Sequence, residues 1–493
     1  MRCKSLILLI LAILFSACQV ITVDIGTIAS TVTPVSTQTP VVPTPTITQV
    51  IPTLSPIAVQ SLPVHIHPDG GLYAGDQVSF EIIAPVGANM QERTASIEID
   101  DPNQTTLGPQ EFTPFGIAGR MQATFQWAWD TSGLLSGEYV ADISVQPGGP
   151  TWTETISLQP GPAPAAQWAS ATNDCCSLQY ITGTLAEKDL GKLLVMADEQ
   201  AKSVAGQLGA EFGEPVSIVL VPRVLGHGGF ADNEISISYL ERNYAGGSPE
   251  IVLHHELVHK LDSQLGGDLR PTFFVEGLAV YLSGGHFKQE PLIPRAAALL
   301  DQGMYLPLAP LAERFYTSQH EIGYLEAGAL IEYMIGRWGD DAFYRFYRDI
   351  HPLEGNGSQA AAINAALLQH FQLTLGELEN NFLQTLREQP VNPRWEEDVR
   401  LIVRFYEIVR RYQQLLDPSA YYLTAWLPDS QQMRERNIVA DYLRHPDAPE
   451  NKAIETLLVA VDESLKAGDY ARAGQTLDVV DAALQAAASN RTR

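Results

Sequence analysis

Between residues 63 and 160 the chain alternates apolar and polar positions in short runs. Val78-Ser79-Phe80-Glu81-Ile82-Ile83, Ala95-Ser96-Ile97-Glu98-Ile99 and Met121-Gln122-Ala123-Thr124-Phe125-Gln126-Trp127 repeat with period two, as do residues 137–145 and 152–158. That period places successive side chains on opposite faces of a strand. Asp69-Gly70-Gly71, Ser132-Gly133 and Pro147-Gly148-Gly149-Pro150 supply turns between the runs. A series of short strands of this kind predicts a β-sandwich. Trp127-Ala128-Trp129-Asp130-Thr131 followed by Gly137-Glu138-Tyr139 is similar to the late strands of bacterial immunoglobulin-like modules.

The period then lengthens. Residues 186–209 form an amphipathic helical pattern, Val216-Ser217-Ile218-Val219-Leu220-Val221 reads as a buried strand ended by Pro222, and residues 234–239 alternate as a second strand. Ser248-Pro249-Glu250 is a helix start, with Ser suited to the N-cap, Pro to the first turn and Glu to the positive end of the dipole. Gly266-Gly267 is expected to end that helix, and residues 271–282 predict another, closed by Gly284-Gly285. Residues 342–350, 395–416, 430–442 and 453–488 continue as helices, and Thr374-Leu375-Gly376-Glu377 is a capping box. Residues 466–473 resemble the turn of a tetratricopeptide-like hairpin, a single hairpin that is not a repeat array.

Composition changes the picture at the N-terminus. Met1-Arg2-Cys3-Lys4 is basic, residues 6–15 are an apolar core too short to span a bilayer, and Ser16-Ala17-Cys18 is a small-residue cleavage site. This is the pattern of a bacterial lipoprotein signal, with Phe15 where Leu is usual, and it implies a lipid on Cys18 and an extracytoplasmic location at the cell envelope. Free secretion is the alternative. Residues 19–62 carry one charge, Asp24, and are dominated by Thr, Pro, Val and Ser, as expected of an extended tether. The net charge of −26 argues against a nucleic-acid surface, which needs clustered Lys and Arg. Cys175 and Cys176 are the only cysteines beyond the signal. Ring strain disfavours a bond between neighbours, so free thiols or a contact with another chain are expected. His65 and His67 share one face of a strand start and are expected at the surface.

The candidate chemistry lies in His255-Glu256-Leu257-Val258-His259. Four residues is one helical turn, so both imidazoles can converge on one zinc ion while Glu256 reaches the ion's open side. A catalytic zinc takes three protein ligands, so a third donor must come from elsewhere. Glu276 is the one carboxylate in the apolar 271–282 helix, where an acid is costly unless a cation pairs with it.

These residues resemble the gluzincin metallopeptidases, the thermolysin-like and aminopeptidase-like group. The matching pieces are His255-Glu256-Leu257-Val258-His259 and Phe273-Phe274-Val275-Glu276-Gly277-Leu278-Ala279-Val280-Tyr281, with 16 residues between His259 and Glu276. The resemblance implies Zn2+ held by His255, His259 and Glu276, Glu256 as the base that activates water, and a peptide or protein substrate. Lys260 departs from the family pattern and is expected on the wet side of its helix. The family's strand before the motif, here 234–239, is expected to be an edge that pairs with extended substrate. Residues 324–334 are similar to the helix that carries a catalytic Tyr in the aminopeptidase branch, which points to Tyr324 as donor to the oxyanion, with Tyr316, Tyr281 and Tyr333 as rivals. The Gly-x-Met-Glu-Asn-like segment that clamps a free amine is absent, with Gly229-Phe230-Ala231-Asp232-Asn233-Glu234 a faint echo, so endopeptidase action is expected.

The chain is thus expected to be a multidomain α+β protein. Its parts are a signal at 1–18, a linker at 19–62, an immunoglobulin-like β-sandwich at 63–160, a gluzincin-type metallopeptidase domain at 161–390 and a helical C-terminal region at 391–493. A different class remains open, a surface-anchored binding or scaffold protein with an inert zinc lobe.

Overall fold

Two sheets face each other around one apolar core in the N-terminal part of the computed structural model. In one, Val64–His67, Gln77–Ile83, Arg120–Asp130 and Thr113–Phe115 lie side by side in that order. In the other the order is Leu72–Ala74, Thr151–Pro162, Gly137–Gln146, Thr94–Ile99 and Thr105–Glu111. Phe80, Ile97, Trp129 and Ile143 are among the inward side chains of this core. The indole of Trp129 donates to Asp101 at 2.9 Å, so its buried N–H is satisfied. The alternating runs therefore locate the main strands, while Thr105–Glu111 and Thr113–Phe115 were not expected because their patterns are polar or interrupted by Pro.

The structure describes residues 57, 59–115, 120–162, 165–226, 228–317, 319–355, 357–425 and 430–491. The expected signal with Cys18 and most of the linker lie outside the described residues. Among the described residues no helix is long and apolar enough to cross a membrane.

A third sheet runs Trp168–Thr172, Cys176–Ile181, Val216–Val221, Ile235–Ser238, Gly229–Ala231, giving a mixed α+β fold. Ile235–Ser238 pairs on both sides, parallel to Val216–Val221 and antiparallel to Gly229–Ala231. The expectation that 234–239 is an edge is therefore corrected: a hairpin adds Gly229–Ala231 outside it. The helix expected over 186–209 is broken at Asp189 into Leu185–Lys188 and Leu190–Leu208, and Asp189 accepts a hydrogen bond from Tyr239 at 2.7 Å. Cys175 and Cys176 form a disulfide, against the expectation from ring strain.

The helix Pro249–Gln264 packs beside this sheet and the helix Thr272–Ser283, in one core with Leu257, Phe274, Leu325 and Phe343. Thr272–Ser283 crosses the helix His320–Trp338 at close range because Gly277 has no side chain. A Cβ there would lie 2.7 Å from the carbonyl oxygen of Ala327. The capping box on Thr374 and Glu377 forms as expected.

The C-terminal helices fold back onto everything before them. Val399 and Val403 of Pro393–Leu416 join the core of the motif helix. Pro418–Ala425 wedges between the first sheet and the third, where Phe115, Val219, Tyr421 and Tyr422 share a core. Residues 430–442 are two short helices, Ser430–Glu435 and Ala440–Leu443, with Asn437 at φ 49° between them. Pro449–Ala467 and Tyr470–Arg491 form the expected hairpin, turned at Gly468 with φ 73°.

The same wedge corrects the placing of His67. It is fully buried, its Nε2 2.9 Å from Glu81 and its Nδ1 2.6 Å from Ser419 on the returning segment, with its ring stacked on Tyr422 at 4.3 Å. Arg120 and Gln122 also donate to Glu81, at 2.9 and 2.6 Å. A polar group buried this deeply is tolerated because every strong acceptor on Glu81 is used.

Candidate metal centre

His255 and His259 project from one face of Pro249–Gln264, and Glu276 meets them from Thr272–Ser283. The Nε2 atoms of the two histidines are 3.0 Å apart, and Glu276 Oε2 is 3.2 Å from one and 3.1 Å from the other. Three donors thus form a near-equilateral triangle, all within 4.8 Å of one another, with His255 and Glu276 buried and His259 half-buried. A tetrahedral zinc bonded at about 2.0–2.2 Å spaces its donors by roughly 3.3–3.6 Å, so closing on an ion needs shifts of only a few tenths of an ångström. Two imidazole nitrogens facing each other is an arrangement that a proton or a cation must hold together. The donor set therefore fits zinc.

Electrostatics agree. Burial pushes His255 down to about 4, so it is neutral and ready to ligate. Burial also works against a charge on His259, but the Glu276 carboxylate beside it outweighs that and lifts it to about 9. Glu276 itself is held well below the usual carboxylate range: burial opposes this, and the charge of His259 with the hydrogen bonds of both histidines overcomes it. One proton, shared between His259 and Glu276, thus stands where a cation would stand. Glu256 lies on the same helix but outside the triangle, with Oε2 buried and unpartnered among the described residues. Burial pushes it up to about 8, with His259 opposing and Glu276 reinforcing the rise. A cation in the triangle would pull it back down, as an opposite charge favours the ionised form.

The recess is built around these four side chains. Tyr316, on a single turn Phe315–Thr317, donates its hydroxyl to Glu276 Oε1 at 2.6 Å. Tyr324 comes from His320–Trp338 with its ring 6.1 Å from that of His255. Burial raises the hydroxyls of both tyrosines above their ordinary range, with the Glu276 charge adding, so both remain protonated donors. Among the described residues neither Tyr281 nor Tyr333 hydrogen-bonds to the triangle, and the ring of Tyr333 packs instead on Trp338 and Phe382 at 6.1 and 5.6 Å. Sequence reasoning missed His286, whose ring stacks on Tyr324 at 4.1 Å, lies 6.0 Å from His255, and is fixed by Nδ1 at 2.9 Å from the buried Glu321. It sits in a loop after Gly284-Gly285, and no spacing pattern marks it.

The edge strand Gly229–Ala231 lies flat against the motif helix. A Cβ on Gly229 would meet Val252 at 2.7 Å and the Glu256 side chain at 3.5 Å. Lys260 is on the exposed side as expected, and its ammonium donates to the backbone carbonyls of Asp232 and Asn233 at 2.9 and 2.6 Å, tying the hairpin turn to the helix. The outermost strand of the sheet thus runs beside the base.

No protein-family model matches the chain, and no curated protein matches it. Among solved structures, a variant of an M1 zinc metallopeptidase from Deinococcus radiodurans is similar over 69% of this chain and 97% of that one, at 14% identity and a TM-score of 0.29. A likeness of that size does not bear on the site, whose reading rests on its own geometry.

Proposed function

We propose that this chain is a zinc-dependent peptidase acting outside the cytoplasm. The observation that carries the proposal is the triangle of His255, His259 and Glu276 with Glu256 unpartnered beside it. A zinc ion held there supplies Lewis acidity, to a water molecule and to the scissile carbonyl. The chain's own residues do the rest. Glu256 takes a proton from the attacking water and returns it to the leaving amine. Tyr324 or Tyr316, both protonated, donates to the oxyanion. The free edge of Gly229–Ala231 offers backbone N–H and C=O groups to an extended peptide.

Endopeptidase action fits the same surface. An aminopeptidase needs an anion free to hold the substrate's amine. Of the two acids in the nearest segment, Glu234 is instead held by Arg434 at 2.6 and 2.8 Å and by Ser217 at 2.7 Å, and Asp232 lies in the exposed turn of the hairpin. The lipoprotein-type signal supports anchorage through Cys18, and the linker would hold the rest of the chain off the membrane. Digestion of a peptide library by the full-length protein, with and without a zinc chelator, tests the activity. Chelator-sensitive internal cleavage is expected, and its absence overturns the reading. Incorporation of labelled palmitate that is lost in Cys18→Ser tests the anchor.

A further inference from the structure

The chain has 57 acidic residues against 31 basic ones, so a buried cation has carboxylates to spare. Arg223 and Arg295, both buried, are matched in that way, the first with Asp417 and the second with Asp398 and Glu321. Arg410 is not. Among the described residues its one hydrogen bond is to the side chain of Gln413 at 3.0 Å, and no carboxylate lies within salt-bridge distance. Burial works against its charge, and the groups near enough to support that charge are the phenols of Tyr421, Tyr244, Tyr406 and Tyr324. A phenol partly compensates a desolvated guanidinium, whereas a carboxylate would do so fully.

Its position is the second observation. Val403, Tyr406, Arg410 and Gln413 follow one another at helical spacing along one face of Pro393–Leu416. That face looks at the start of the helix that carries Tyr324: Gln319 donates to the Val403 carbonyl at 3.5 Å, and the ring of Tyr406 is 6.5 Å from that of His286, which stacks on Tyr324. Arg410 is one turn beyond Tyr406 on that same face, and it is half-buried. The cation is therefore held within reach of whatever occupies the space beside Tyr324.

We propose that Arg410 is a carboxylate-binding subsite of the zinc recess, receiving a carboxylate of the bound peptide. The guanidinium fork matches a carboxylate in two-pronged geometry, and its half-buried setting among tyrosines screens the pair less than open solvent would. The carboxylate has two sources, an Asp or Glu side chain near the scissile bond or the substrate's C-terminus. The inference rests on the peptidase reading and adds to it the class of substrate.

The test uses full-length, zinc-loaded protein and fluorescein-labelled alanine heptapeptides in matched pairs. One arm sets Glu against Gln at each position, and the other sets a free C-terminal acid against its amide. With wild type, kcat/KM for the acid member of one pair is expected to exceed its neutral partner about tenfold, the scale of one charge-assisted hydrogen bond, chiefly through KM. The arm in which this happens identifies the source. In Arg410→Met the ratio is expected to fall to near one, and in Arg410→Lys to an intermediate value. A ratio near one for every pair in wild type, or an undiminished ratio in Arg410→Met, overturns the subsite. Should wild type cleave none of the peptides, the peptidase reading fails, and the subsite is judged by fluorescence polarisation of the same pairs. There, tighter binding of one acid member that Arg410→Met abolishes supports it, and equal binding overturns it. Arg410→Gln replaces Arg410→Met if the latter does not fold.

Discussion

The hydroxyl of Tyr316 donates to Oε1 of Glu276 at 2.6 Å, while Oε2 of the same carboxylate faces the two histidines. One tyrosine thus fixes the orientation of a candidate ligand, and Tyr324, 6.1 Å from His255 between ring centres, stands beside a second. The two should fail differently. Tyr316→Phe removes an orienting bond and is expected to weaken zinc about 10–100-fold. Tyr324→Phe should leave zinc bound and depress turnover about 10²–10³-fold, with Tyr281→Phe and Tyr333→Phe as controls. If Tyr316→Phe keeps its zinc and loses turnover instead, Tyr316 is the oxyanion donor and Tyr324 is not.

Glu256 and Glu276 are separated by the same logic. Glu256→Gln keeps the shape of a residue that stands outside the triangle, so metal content should hold near one zinc per chain while hydrolysis disappears. Glu276→Ala removes a corner of the triangle and should lose the metal. Elemental analysis of the two purified variants decides it. Equal metal contents would falsify the division of roles.

Zinc should bind against a proton. His259 is held up to about 9 by Glu276 when no cation is present, and its proton must leave before the nitrogen can ligate, whereas His255, pushed down to about 4, has none to lose near neutrality. The apparent affinity is therefore expected to rise about tenfold per pH unit between roughly pH 6.5 and 9, then level off. Competition with a chelator of known proton affinity measures this. An affinity that is flat across that range contradicts the assigned proton.

How much of the site was legible depends on how far apart its parts are in the chain. His255, Glu256 and His259 share one helical turn, so spacing alone announces them, and Glu276 is visible as a lone acid in an apolar helix. Tyr316 and His286 sit on a single turn and a loop, where no period constrains which way a side chain points. His67 looked like a surface residue because the segment that buries it, around Ser419, is 352 positions away. The edge strand was misplaced for a related reason: Gly229–Ala231 is three residues long, and its glycine is chosen by contact with Val252 rather than by any strand pattern. Local patterns, in short, specify helices and ligands on them, and long-range packing specifies the rest.

Gly277 follows the candidate ligand Glu276 and faces the carbonyl of Ala327, where a Cβ would lie at 2.7 Å. Backbone cannot step aside as a side chain can, so Gly277→Ala is expected to cost about 1–3 kcal/mol, the scale of an overpacked core. The helix carrying Tyr324 should be pushed away from the recess, lowering turnover as well. Gly328→Ala on the opposing helix meets side chains rather than backbone, Val280 at 2.5 Å and Leu292 at 3.3 Å, and should cost less. Urea midpoints of the two variants rank them, and the reverse order would mean that the crossing is not set by Gly277.

The last prediction concerns the buried pair that joins the first sheet to the returning C-terminal segment. Burial alone would depress His67, but its hydrogen bond to Glu81 and the charges of Glu81, Asp69 and Asp441 hold it above its ordinary 6.5. Burial alone would raise Glu81, but His65, His67 and Arg120 hold it well below its ordinary 4.5. The raised His67 contributes stability that is full below 6.5 and lost as pH rises through its folded value. The depressed Glu81 contributes stability that is present above 4.5 and lost as pH falls through its folded value. Both contributions are therefore complete only between about pH 4.5 and 6.5. Glu81→Gln leaves His67 buried without its anion, so the cost there should be about 3–5 kcal/mol, the scale for breaking a buried pair. Measured as a difference in Tm, it should be largest near pH 5.5 and narrow as pH rises above 6.5 and through the folded-state value of His67, leaving Arg120 and Gln122 as the partners that still call for the carboxylate. A difference no larger at pH 5.5 than at the alkaline end of the folded range would show that the charge of His67 contributes nothing and that Glu81 is held by Arg120 and Gln122.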